Sequence, residues 1–157
     1  KEIIFALMAI SVLLISACDV YNTLYIKQTA DAEEVAEEEI RCLTVQEDKG
    51  LPAGEYYLLE SYCNDSKCDC RRVFINVLHK DKILATIGYG LDSFQFHKEW
   101  IGDEDLAHDV KGPVLELGGI QTEYAKRLLE LFKSAVLKDE KYIERLMRHY
   151  RMWKNKK

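Results

Sequence analysis

Arg72-Val73-Phe74-Ile75-Asn76-Val77-Leu78-His79-Lys80-Asp81-Lys82-Ile83-Leu84-Ala85-Thr86-Ile87-Gly88-Tyr89 is the stretch whose reading decides the fold. Two runs rich in β-branched and aromatic side chains flank the polar segment His79–Lys82, the pattern of two strands about a turn. Upstream, Glu55-Tyr56-Tyr57-Leu58-Leu59-Glu60-Ser61-Tyr62 is also strand-like. Before it, Gly50-Leu51-Pro52-Ala53-Gly54 combines a proline with two glycines, a breaker that marks the start of the compact domain. Three consecutive strands with short polar joins predict an antiparallel meander.

Downstream the apolar period changes. Ser93 to Ile101, with Phe94, Phe96, Trp100 and Ile101, reads as a short amphipathic helix closed by Gly102. Asp103, Glu104, Asp105, His108 and Asp109 lack the spacing of a calcium loop and read as a solvated turn. Gly112-Pro113-Val114-Leu115-Glu116-Leu117 adds a short edge strand. Thr122 is the expected N-cap of a helix whose Ala125, Leu128, Leu129, Phe132 and Val136 share a face, and Asp139 caps a second, with Ile143, Leu146, Met147, Tyr150 and Trp153 in register. A helical hairpin buries both stripes most simply on one face of the meander. The expected fold is therefore α+β, a three- to four-stranded antiparallel meander packed against a C-terminal helical hairpin. A chain of 157 residues, 48% hydrophobic, suits one such domain.

The N-terminal side reads differently. Ile3 to Ala17 carries no charge and is followed by Cys18-Asp19. A run of this length suits a signal-peptide core better than a spanning helix, which needs about 20 apolar residues. Ile15-Ser16-Ala17-Cys18 resembles the lipobox of bacterial lipoproteins, which implies acylation of the Cys18 sulfur and a lipid-anchored, extracytoplasmic location at the bacterial cell membrane. The expected organisation is a signal peptide over 1–17, a tether and acidic peripheral helix over 18–49, and the α+β domain over 50–157. A cytoplasmic location is the alternative if the first segment is not a signal.

The net charge of −5 argues against general polyanion binding. Acidic residues crowd Asp31 to Glu39, whereas Lys141, Arg145, Arg148, Arg151, Lys154, Lys156 and Lys157 make the last helix basic. Either run fits a solvated face, and the basic one also suits an acidic protein partner.

Three thiols fall between residues 63 and 70 in Tyr62-Cys63-Asn64-Asp65-Ser66-Lys67-Cys68-Asp69-Cys70-Arg71-Arg72, at the join of the first two strands. Sulfur on a tight turn suits zinc, which accepts tetrahedral thiolate and imidazole ligands. Cys63, Cys68 and Cys70 are the expected ligands, with the fourth drawn from Cys42, His79, His97 and His149; we take His149. In an exported protein the four cysteines other than Cys18 make an even set that also reads as disulfides, and unpaired structural thiols are a third reading. Arg71, Arg72 and Arg148 are candidates for an anion pocket. No serine, lysine or cysteine stands in a nucleophile context, so no catalytic residue is assigned.

Taken together, Tyr62 to Arg72, Ile83 to Gly90, Phe96-His97-Lys98-Glu99-Trp100 and the closing His149-Tyr150-Arg151-Met152-Trp153-Lys154 resemble a prokaryotic family of unassigned activity. Its pattern joins a Tyr-Cys, Cys-Asp-Cys-Arg-Arg core to a terminal His-Tyr followed by an aromatic residue and a lysine. The resemblance spans roughly Gly54 to Lys154 and implies no particular chemistry. The leading expectation is a membrane-anchored lipoprotein that serves as a binding or interaction domain, braced by the cysteine cluster as a zinc or disulfide staple. The alternatives are a metal-dependent hydrolase and an intracellular accessory protein that binds nucleic acid through its basic helix.

Overall fold

The computed structural model describes residues 39–46, 50–63, 65 and 67–155. The chain divides into two compact units, 1–42 and Leu43–Lys157, and only Glu39–Cys42 of the first are described. Cys18, the leader, the tether and most of the acidic segment lie outside the described residues.

The second unit is built on an antiparallel sheet ordered β1-β2-β3-β4-β5. Its strands are β1 (Arg41–Val45), β2 (Gly54–Tyr62), β3 (Arg72–His79), β4 (Lys82–Gly90) and β5 (Val114–Leu115). Strands β2 to β4 form the expected meander. Leu58 pairs with Val77 and Glu60 with Ile75 on one side of β3, and Ile75 pairs with Ile87 and Val77 with Ala85 on the other. The period of two turns Tyr56, Leu58, Val73, Ile75, Val77, Ala85 and Ile87 to the same face, and all are buried there. Lys80 and Asp81, both at positive φ (46° and 65°), form the two-residue β3–β4 turn. That backbone matches the twist of the strands it joins.

The hairpin of helices covers this face. Helix α3 (Ala125–Leu131) runs on into a π-helical turn (Phe132–Val136), and α4 (Glu140–Asn155) returns. Ala125, Leu128, Phe132 and Val136 are buried from the first arm, and Tyr142, Leu146 and Tyr150, spaced by four, from the second. Tyr89 meets Phe132 edge-on at 6.4 Å and Tyr62 meets Tyr150 at 6.0 Å, so rings join the sheet to both arms. Asp139 caps α4, its Oδ1 accepting from the Tyr142 N–H at 3.3 Å.

Two more helices pack at the Gly90 end of β4. Helix α1 (Phe94–Ile101) starts at Ser93, whose hydroxyl accepts from Phe96 N–H, and ends at Gly102 in the left-handed region (φ 74°). Its buried His97 lies so close to Gly90 that a Cβ there would be 2.7 Å from the imidazole. Gly88 leaves the same kind of room for Arg72 and Glu116, so the Gly-Tyr-Gly segment serves side-chain packing.

Four features differ from the expectations. The sheet has five strands, because β1 adds an edge from the stretch read as tether and peripheral helix, and the compact unit accordingly starts before residue 50. The acidic stretch read as a turn is helix α2 (Glu104–Lys111), with Asp103 accepting from Leu106 N–H at 2.9 Å and acids in the first turn facing the helix dipole. Tyr124 stands at the N-cap position of α3 without a side-chain cap bond, and Thr122 serves the turn before it, its hydroxyl accepting from Tyr124 N–H at 3.4 Å and its carbonyl from Ala125 N–H at 3.0 Å. Its hydroxyl and N–H both donate to Leu84 C=O (2.7 and 3.0 Å), holding the segment to β4 beside the Ala85–Gln121 bridge. After the meander the described α-helices number four, where the expectation placed three.

Candidate metal centre

Tyr62 ends β2, and the chain must reverse before Arg72 opens β3, paired to it through Val73. The intervening loop turns on Asp65. Its carbonyl accepts from Cys68 N–H at 3.2 Å, and its carboxylate accepts from Lys67 N–H at 2.8 Å. This Asx-type turn folds the loop back on itself. The left-handed Arg71 (φ 47°) then redirects the chain into β3, with its carbonyl accepting from Leu91 N–H at 2.7 Å. The result is a cluster in which the sulfurs of Cys63, Cys68 and Cys70 all lie within 4.8 Å of one another, close enough to share a metal ion. Cys70 is buried at the base, and Cys63 and Cys68 are half-buried.

The last helix grips this loop. Trp153 Nε1 donates to Cys63 C=O at 3.2 Å, and Lys154 Nζ donates to Asp65 C=O at 3.0 Å and Cys68 C=O at 2.6 Å. Tyr150 Oη donates to Asp69 Oδ1 at 3.3 Å. From the opposite side Arg71 holds Asp69 through two bonds (3.1 and 2.9 Å), reaches Asp92 at 2.6 Å, and lies 3.9 Å over the Phe96 ring. Three of these α4 side chains fall at 150, 153 and 154, the helical spacing that puts them on one face. The two halves of the family-like pattern, the cysteine core and the terminal aromatic-lysine pair, thus meet in space.

The thiols differ in acidity. Burial, reinforced by the neighbouring sulfurs of Cys68 and Cys63, pushes the Cys70 thiol up to about 12. At Cys63 burial also opposes ionisation. There it is outweighed by the Asp65 N–H, by bonds from the other two thiols and by the Lys154 charge, so this thiol is held below its ordinary value. A bound divalent cation reverses the burial penalty, because coordination deprotonates a thiol outright. Asp69 is held below the usual carboxylate range, first by its bonds to Arg71, and burial beside Asp69 and Cys70 raises Tyr150 to about 12.

The remaining site expectations fall elsewhere. His149, chosen as the fourth ligand, presents Nδ1 to Glu60 Oε2 at 2.8 Å, and the group of metal-competent side chains found among the described residues holds the three cysteines without it. Glu60 also accepts from Arg145 (3.2 Å) and Tyr62 (2.8 Å), which explains how a carboxylate is tolerated on the helix-covered face. His79 is stacked on Tyr56 with Nδ1 at Glu55 C=O, and His97 has Nδ1 at Ser93 C=O. Cys42 is exposed on β1. The arginines named for an anion pocket stand in separate settings. Arg71 is taken by Asp69 and Asp92, Arg72 by Glu116 and Val110 C=O, and Arg148 is exposed on α4. Asp69, Trp153, Lys154 and Glu60 are the site's unforeseen participants. The first three stood in the quoted motifs, but only the fold reveals that they touch.

No protein-family model, curated protein or solved structure matches this chain.

Proposed function

We propose that Cys63, Cys68 and Cys70 bind a thiophilic metal ion, zinc first, and that the ion's role is structural. It fastens the β2–β3 loop beneath the end of α4 and so gives a rigid binding or interaction domain. The observation that carries this reading is the convergence of three sulfurs within 4.8 Å on a loop that α4 holds through its backbone carbonyls. Zinc suits the set because thiolate donors match its softness and the ion imposes no rigid geometry of its own. With three protein sulfurs, the remaining tetrahedral position is left for water or an added ligand, which is also the arrangement of a hydrolytic site.

The decisive measurement is metal content with thiol counting on protein purified without chelator. One zinc per chain, with thiols that become reactive when chelator is added, is the expected result. Absence of metal together with a disulfide inside the 63–70 loop overturns it in favour of a covalent staple. Hydrolysis of ester or phosphoester substrates that is lost with the zinc moves the assignment to an enzyme.

The proposal extends to location. Ile15-Ser16-Ala17-Cys18 supports a lipid anchor on Cys18 at the extracytoplasmic face of a bacterial membrane. Incorporation of labelled palmitate that disappears in Cys18→Ser is the expected outcome, and an unprocessed cytosolic chain removes this part of the proposal without touching the metal centre.

A further inference from the structure

Three thiolates together with the divalent ion they hold carry a net charge of minus one, and the cluster is half-buried to buried, where an unbalanced charge is costly. The nearest candidates for balancing it are engaged or exposed. Arg71 lies between Asp69 and Asp92, so that trio is itself net negative, Arg72 is bound to Glu116, and Lys67, within the loop, is exposed. Lys154 is placed differently. Its ammonium sits against the thiol loop, 2.6 Å from Cys68 C=O and 3.0 Å from Asp65 C=O, and both partners are neutral carbonyls. Among the described residues the lysine has no carboxylate hydrogen-bonded to it, and it brings its positive charge to the same few residues that supply the sulfurs, where it favours the Cys63 thiolate and, alongside it, the Asp69 carboxylate.

We infer that Lys154 is the counter-charge of the metal centre, so that three thiolates, one divalent ion and one ammonium form a neutral unit. This rests on the metal reading proposed above and names its ion class: divalent and thiophilic, as zinc and cadmium are. A monovalent ion such as copper(I) would leave the same unit one charge negative. Lys154 is a positioning and charge-balancing residue and does not touch the metal. The two carbonyl bonds fix where its charge stands, which a freely moving surface lysine could not do.

The test uses the full chain, titrated with cadmium(II) while the thiolate-to-cadmium absorption is followed, and in parallel with copper(I) against a competing chelator. Only the signal lost in Cys70→Ser is attributed to the site. Lys154→Gln keeps an N–H donor for the carbonyls but removes the charge, and Lys154→Arg keeps the charge. The expected result is a cadmium affinity lowered about tenfold in Lys154→Gln, the lower end of what outer-shell changes cost. Copper(I) loses by a larger factor, because the more negative complex depends more on the ammonium, and Lys154→Arg stays close to wild type. Equal losses for the two ions would reduce Lys154 to a tether and overturn the inference, as would wild-type binding by Lys154→Gln or failure of Lys154→Arg. A wild-type chain without the cadmium band sinks the metal reading itself. A wild-type band that Lys154→Gln leaves unchanged removes only the role of the lysine.

Discussion

Individual residues in this protein matter mostly through what they leave room for or hold in place. Gly90 admits the buried His97, and a methyl group there would sit 2.7 Å from two ring atoms. Gly90→Ala is therefore expected to lower stability by about 1–3 kcal/mol, the usual cost of overpacking, read as a fall in urea midpoint with unchanged slope. At Asp92, bonds from Arg71 and then from Ser93 N–H hold the carboxyl below its ordinary range. A carboxyl with a lowered folded value contributes stability above its unfolded value, near pH 4, and that contribution is lost as pH falls through the folded value. Asp92→Asn should thus lower the melting temperature at pH 7 and flatten its decline below about pH 4, with the two proteins converging in acid. The cysteine ligands were legible at this scale because sulfur density on a turn is a local signal. The fourth-ligand choice was not, since His149 is drawn to Glu60, which lies far away in sequence and was read only as part of a strand.

At the level of elements, amphipathic spacing foretold the two arms of the helical hairpin, and runs rich in β-branched and aromatic side chains foretold β2 to β4. Both signals need many apolar residues in one segment. The misread elements lacked them. Strand β1 offers only Leu43 and Val45 to the core, and α2 buries only Ala107, so its evidence was the Asp103 cap and the acids behind it. Thr122 does meet the helix entry, accepting from Tyr124 N–H, but its hydroxyl also donates to Leu84 C=O, a tertiary bond that local sequence does not show. In α4, Leu146 is fully buried beside Arg145, which reaches Glu60, and one turn before Tyr150, which reaches the thiol loop. Leu146→Ala should cost about 2–5 kcal/mol. Because it loosens the helix that carries Trp153 and Lys154, it should also weaken metal binding, which a titration of the still-folded variant in stabilising salt can check.

For the whole molecule, composition and order of elements were enough to indicate one α+β layer pair, and they were not enough to show that the two ends of the second unit's pattern close on each other. If the site binds its ion only in the folded state, stability and metal concentration are linked. Zinc at a hundred times its dissociation constant adds about 2.7 kcal/mol, so the melting temperature should climb with free zinc and fall on chelation. Binding should also weaken as pH is lowered, since the thiols must give up protons, Cys70 more reluctantly than Cys63. A melting temperature indifferent to zinc and to chelator would contradict both statements.

The sulfur-bearing loop closes the β2–β3 hairpin, the first pair of long strands to be made. A chain that emerges N-terminus first, from a ribosome or a membrane pore, therefore presents all three thiols ahead of β4 and well ahead of α4. The hairpin then captures its ion first, and the final helix arrives afterwards as a latch over a centre already filled. Release experiments on the finished protein report the latch, whereas loading of a chain cut short before α4 reports the hairpin.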